Sequence, residues 1–130
     1  MKRLIVGIII LSLLTSCDSY HKNLKGTNFN VGWINLPELT TINYNDPNGG
    51  WLGVTEQRIT DVYWNEEYIL AKRCENRTDS ILGYYIIKIL PDTSRPVPWK
   101  RYGLLTREKY IHKRDSLGLD ESGMRYINLF

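Results

Sequence analysis

The stretch Ile81-Leu82-Gly83-Tyr84-Tyr85-Ile86-Ile87-Lys88-Ile89-Leu90 decides the fold. It is apolar at both sets of alternating positions, and Lys88 is its single charge. β-Branched and aromatic residues of this kind fit a pleated strand. A strand with one wet face would alternate apolar and polar residues. This one does not, so it is expected inside a sheet and covered on both sides.

Turns and further strands extend outward from it on the N-terminal side. Asn76-Arg77-Thr78-Asp79 is a turn, Tyr68 to Glu75 a strand, Asn65-Glu66-Glu67 a second turn, and Arg58 to Trp64 another strand. Earlier, Thr40 to Tyr44 and Trp51 to Val54 flank Asp46-Pro47-Asn48-Gly49-Gly50. In that segment proline presets one dihedral and Asn-Gly accepts positive φ, so a hairpin is expected. Phe29 to Ile34 is the first strand candidate. On the C-terminal side Pro91, Pro96 and Pro98 stop the sheet, and Pro91 to Lys100 reads as a surface loop that carries Trp99. A helix then starts after Thr106, a good N-cap, with Leu105 placed to staple onto Tyr110. Tyr110, Ile111, Arg114 and Leu117 form its inner stripe, with the arginine at the edge, and Gly118 ends it. Met124 to Phe130 is apolar enough to dock as an edge strand. The expected class is α+β: an antiparallel β-meander of about five or six strands with one C-terminal helix packed on a face.

The N-terminus reads as an address. Lys2 and Arg3 precede the apolar run Leu4 to Leu14, about eleven residues against the roughly 20 a spanning helix needs. That length fits the h-region of a secretory signal. Leu14-Thr15-Ser16-Cys17 then resembles a bacterial lipobox: an aliphatic residue, two small ones and a cysteine. Residues 1–16 are accordingly expected to be a lipoprotein signal peptide. Cys17 would receive diacylglycerol and an amide-linked acyl chain such as palmitate; more than one chain is needed for stable anchoring. Residues 17–27 are read as lipidated cysteine and tether, and residues 28–130 as a single globular domain. The chain would then sit lipid-anchored at the cell membrane or outer membrane, facing periplasm or exterior. Asp18 resembles an inner-membrane retention signal of enteric bacteria, a rule that does not hold in every phylum, so the leaflet stays open.

Charge is uneven along the chain although its total is small. Pro37 to Asp79 holds eight acids and four bases, whereas Ser80 to Leu119 holds eight bases and three acids. Once Cys17 is acylated Cys74 is alone, so no disulfide is expected within the chain, and a buried structural thiol is the reading. His21 and His112 are the only histidines and neither has a cysteine or histidine at ligand spacing, so no metal or other cofactor is expected. No serine stands in an elbow-like Gly-x-Ser-x-Gly, and Glu66-Glu67 lies in a turn, so no catalytic residue is assigned. Asn76-Arg77-Thr78 matches a glycosylation sequon by chance. Asp79-Ser80-Ile81 resembles a short O-glycosylation motif of some bacterial envelope proteins, which would place a glycan on Ser80.

Trp99, Lys100, Arg101, Tyr102, Arg107, Lys109 and Lys113 gather bases and aromatics around one loop and helix start. They are the candidate binding residues, because arginine and large aromatics are enriched at binding hot spots. The bland alternative is a solvated helix face beside an aromatic loop packed on the sheet. The expected counterpart is an envelope protein, a glycan or another anionic partner; nucleic acid is not expected outside the cell. The function expected is a non-catalytic envelope binding or interaction module. An inhibitor or immunity-type protein against a secreted enzyme or toxin is the alternative, and a small hydrolase the third.

Four pieces in order carry a family resemblance: Asn65 to Lys72, Tyr84 to Ile87, Gly103 to Tyr110, and Lys113 to Leu119. Together they resemble a family of small uncharacterised bacterial lipoproteins, a domain-of-unknown-function family. The likeness covers roughly Val62 to Leu119, about half the chain, and Leu104 stands where a proline is common in that pattern. It implies a shared fold and a lipid anchor, and it carries no catalytic residue.

Overall fold

The computed structural model describes residues 19–94 and 96–130. Among them nine strands form two antiparallel sheets, and one α-helix lies in sequence between the last two strands. The first sheet contains β1 (Ser19–Asn23), β2 (Phe29–Ile34), β3 (Thr41–Asn45) and β4 (Trp51–Gly53), side by side in that order. The second contains β5 (Ile59–Trp64), β6 (Tyr68–Cys74), β7 (Ile81–Ile89), β8 (Trp99–Leu105) and β9 (Arg125–Asn128), in the order β8-β7-β6-β5-β9. The helix α1 (Arg107–Ser116) lies mainly against β7 and β8. The class is therefore the expected one, an α+β antiparallel meander with a C-terminal helix on a face, and its strands divide between two sheets.

The central stretch behaves as its composition demands. β7 pairs with β6 on one side and β8 on the other. Tyr85 and Ile87 enter the core shared by the two sheets, with Phe29, Val31, Ile42, Val62 and Ile69. Tyr84 and Ile86 point the other way and join Leu70 and Tyr110 beneath α1. Ile86 and Ile87 are both completely buried, so both faces of β7 are covered.

Local signals in the sequence also set the ends of elements. Gly49 and Gly50 take positive φ in the turn between β3 and β4, where the Asp46 side chain accepts from the Asn48 amide. The Thr106 hydroxyl caps α1 by accepting from the Lys109 amide. At the other end Gly118 has φ of 69°. Its amide reaches the Asp115 carbonyl and that of Leu119 reaches the Arg114 carbonyl, which closes the helix in a Schellman motif. Tyr110 is the residue that α1 buries, while Ile111, Arg114 and Leu117 are half-buried at its margins. Cys74 is buried and free, with its sulfur 3.5 Å from the Thr60 hydroxyl. Arg125–Asn128 docks at the sheet edge beside β5.

Two expectations need correction. The polar segment from Ser19 onward, read as tether, forms β1, and Leu24 just after it is fully buried. All five residues of β1 are exposed, so no apolar period marks it. It is held by backbone pairing to β2 and by ring contacts, Tyr20 on Trp33 and His21 against Trp51. Trp99 and Lys100, read as the end of a loop, instead begin β8. β8 is an edge strand rich in cations, and its alternation is broken by a bulge opposite Tyr85, between the pairs Tyr84–Leu105 and Ile86–Tyr102. Gly103 sits in that bulge at φ of 120°, where a Cβ would lie 2.6 Å from the Tyr84 carbonyl oxygen. The signal peptide of residues 1–16 and the lipidation site Cys17 lie outside the described residues.

Candidate functional site

Strand register builds a polar row across the helix-side face of the second sheet. Asn128 stands opposite Asp61, Asp61 opposite Lys72, and Lys72 opposite Tyr84, so four strands contribute one residue each. Directly opposed side chains in a sheet are close enough to interact. Lys72 Nζ lies 2.7 Å from Asp61 Oδ2. The Thr60 hydroxyl donates to the same oxygen. Tyr126 Oη and Asn128 Nδ2 donate to the other, Oδ1. Each carboxylate oxygen thus accepts two bonds. Burial by itself would raise the Asp61 pKa, but the bonds from Lys72, Tyr126, Asn128 and Thr60 outweigh it and hold the value at about 2. The bond to Asp61 in turn raises the pKa of Lys72.

The row continues into the helix. Tyr84 stacks on Tyr110 of α1 with ring centroids 4.5 Å apart, and its hydroxyl accepts from the Arg107 guanidinium at 3.1 Å. Tyr110 Oη donates to Glu121 Oε1 at 2.7 Å, and Arg114 reaches the same oxygen at 3.0 Å. Burial, reinforced by that acceptor, pushes the Tyr110 phenol far above its ordinary pKa. Because α1 covers β7 and β8, the β5, β6 and β9 side of this face is left open. The result is a cleft of about 340 Å³ between the row and the helix. Three cations, Lys72, Arg107 and Arg114, and two carboxylates, Asp61 and Glu121, line it with tyrosines and aliphatic side chains.

Asp61 is a carboxylate with filled acceptor positions at neutral pH, Tyr110 is a neutral phenol, and Lys72 and Arg107 are permanent donors. The Asp61 carboxyl is held below its ordinary pKa, while the Tyr110 phenol and the Lys72 ammonium are raised above theirs.

The seven candidate binding residues do not form one patch. Trp99 turns to the inter-sheet core and packs on Phe29 and Tyr44. Arg101 also faces that side, donating to the Val54 carbonyl and lying over the Tyr85 ring. Lys100 and Lys113 gather over the Tyr102 ring, with Lys109 along the same shallow surface depression. Arg107 alone reaches the cleft. Alternation along β8 separates these residues, which is what a strand, unlike a loop, must do. The sequence reading missed Asp61, Lys72, Tyr84, Tyr110 and Tyr126 as a group. Nothing in any one segment announces them, because the grouping depends on register between strands.

A second polar array runs across the outer face of the first sheet. Asn43 donates to Asn30, Asn30 to Asn45 and Asn45 to Asn23, while Thr41 donates to Asn43. Asn30 is fully buried within it. Its visible signal was asparagine at alternate positions 43 and 45, of which Asn43 stands opposite Asn30. The amides satisfy one another, so the array ties strands together. Among the described residues no group of three or more His, Cys, Asp or Glu side chains is placed to hold a metal, and no helix is long and apolar enough to cross a membrane. Comparison of the chain with protein-family models, with curated proteins and with solved structures finds no match.

Proposed function

We propose that the chain is a non-catalytic binding module of the bacterial envelope, lipid-anchored through Cys17, that presents the cleft beside α1 to the space outside the membrane. The anchor reading rests on Lys2 and Arg3, the short apolar run and Leu14 to Cys17. The binding reading rests on one observation: the cleft is walled and polar, yet both of its carboxylates are engaged by their own neighbours, Asp61 through both oxygens and Glu121 through Oε1. A hydrolase would need a carboxylate or imidazole free to take a proton at neutral pH. Here the carboxylate instead organises the donors around it. The likeness to small bacterial lipoproteins is in keeping with the anchor.

The test combines lipid labelling with native mass spectrometry on the full chain. Cells fed an alkyne fatty acid are expected to label the wild-type protein and return it with the membranes, whereas Cys17→Ala loses both properties. The detergent-solubilised protein is then incubated with small molecules extracted from the envelope. A module returns its bound species with unchanged mass. A bound species that leaves chemically altered, with turnover abolished by Asp61→Asn, would replace this reading by an enzymatic one. Membrane association and labelling that persist in Cys17→Ala would remove the anchor.

A further inference from the structure

We propose that the cleft beside α1 binds a small organic anion, a carboxylate or phosphate monoester carried on an apolar or aromatic body, with Arg107 and Lys72 gripping the anionic head beside the Tyr84 hydroxyl. This deepens the binding reading above and rests on it.

Both oxygens of Asp61 already accept two hydrogen bonds each. Glu121 is neutralised by Arg114 and accepts from Tyr110 through the same oxygen. The negative groups of the cleft are therefore engaged with its own walls. The donors are not used up. Lys72 spends one proton on Asp61, and Arg107 spends one N–H on Tyr84. The remaining guanidinium and ammonium protons point to no other partner among the described residues. Tyr84 Oη accepts from Arg107 and so keeps its own proton to give, and Tyr63 makes a ring contact with Tyr126 but no hydrogen bond. A ligand that completes this site has to bring acceptors and negative charge.

Lys72 and Tyr84 are directly opposed across β6 and β7, and Arg107 is bonded to the Tyr84 hydroxyl, so both cations belong to the same wall of the cleft as Tyr84. Arg107 forms no ion pair with any described carboxylate, unlike Arg58, Arg73 and Arg114. It also stands at the first position of α1, where unpaired backbone N–H groups add positive potential. A guanidinium fork matches the planar oxygens of a carboxylate or the face of a phosphate. Beyond these donors the cleft is lined by Leu70, Ile81 and Ile111 and by the rings of Tyr63 and Tyr126, a surface suited to an apolar stem. Its volume of about 340 Å³ lies at the small end of ligand sites, which favours a compact molecule over a polymer.

The test is a titration of the full chain in neutral detergent, followed by intrinsic fluorescence and melting temperature, with benzoate, phenyl phosphate, inorganic phosphate and the uncharged isostere benzamide as probes. Benzoate or phenyl phosphate is expected to bind saturably and raise the melting temperature, to weaken as sodium chloride rises, and to bind more tightly than inorganic phosphate. Arg107→Gln is expected to weaken that binding by about tenfold or more, as the loss of a charge-assisted pair requires, and Arg107→Lys to recover part of it. Lys22→Gln, on the exposed strand β1 of the first sheet and outside the cleft lining, should bind as wild type. Equal binding of benzamide, or equal affinity in wild type and Arg107→Gln, overturns the proposal, as does the absence of saturable binding by both aromatic anions. Inorganic phosphate binding as tightly as phenyl phosphate overturns the assignment of the apolar stem. Labelling of Cys17 and capture of an envelope species by Arg107→Gln are read separately. A module that keeps its captured species while losing the anions would fail here and leave the broader binding reading standing.

Discussion

The two faces of the second sheet are built from the same strands and solve opposite problems. On the inner face Val62, Ile69, Ala71, Tyr85 and Ile87 meet the first sheet in an apolar core, with the exposed Arg101 lying over the Tyr85 ring. On the outer face the same strands present Asp61, Tyr63, Lys72 and Tyr84 beside Leu70 and Ile86. The difference lies in the cover. A second sheet can close a whole face, whereas ten residues of helix span roughly 15 Å, less than the roughly 19 Å across five strands. What the helix leaves open cannot be apolar without exposing a sticky patch, and cannot hold isolated charge without a desolvation cost. A mutually bonded row of polar side chains satisfies both demands and leaves a cleft.

Substitutions on the two faces can break this contrast. Ile87→Asp, on the inner face, is expected to prevent folding altogether, since it places an unpaired carboxylate in a fully buried position. Circular dichroism of purified protein, or its absence from the soluble fraction after detergent extraction, reports this. A folded Ile87→Asp variant would mean that the inter-sheet core is wet.

Asp61 on the outer face should matter by a smaller and pH-dependent amount. Its folded pKa of about 2 lies below the ordinary 3.8, so it contributes stability at pH above about 4. That contribution is about 2 kcal/mol, at about 1.4 kcal/mol per pKa unit, and is lost as pH falls from 4 toward 2. Urea unfolding of wild type and Asp61→Asn should therefore differ at pH 7 and converge near pH 2. Parallel curves across that range would detach Asp61 from the network.

Ile111→Asp sharpens the comparison with Ile87, because it is the same change on the helix side. Ile111 is half-buried at the cleft, so the variant is expected to fold and lose only about 1 kcal/mol. A loss as large as that of Ile87→Asp would show that α1 closes the face after all. The smallest effect is expected from Thr106→Ala, which removes the cap of α1 and should cost about 0.5–1 kcal/mol by thermal melting. Because Arg107 is the next residue, that variant should also loosen the grip on Tyr84 more than its stability loss implies.

By itself the amino-acid sequence determined the local and periodic features. Residues 81–90 had to be a strand covered on both faces, Asp46 to Gly50 had to turn, Thr106 and Gly118 had to bound a helix, and Cys74 had to be inside. Each of these follows from side-chain pattern or backbone preference within a few residues. The edge strands escaped it because β1 and β8 are held by backbone pairing and ring contacts, which leave no hydrophobic period to read. The cleft escaped it for a related reason. Asp61, Lys72, Tyr84, Arg107 and Tyr126 are spread over 66 positions and become neighbours only through the registers of β9, β5, β6 and β7 and the placing of α1. A shift of one residue in any of those pairings would turn its side chain to the opposite face, so only the tertiary structure could decide that these residues form one site.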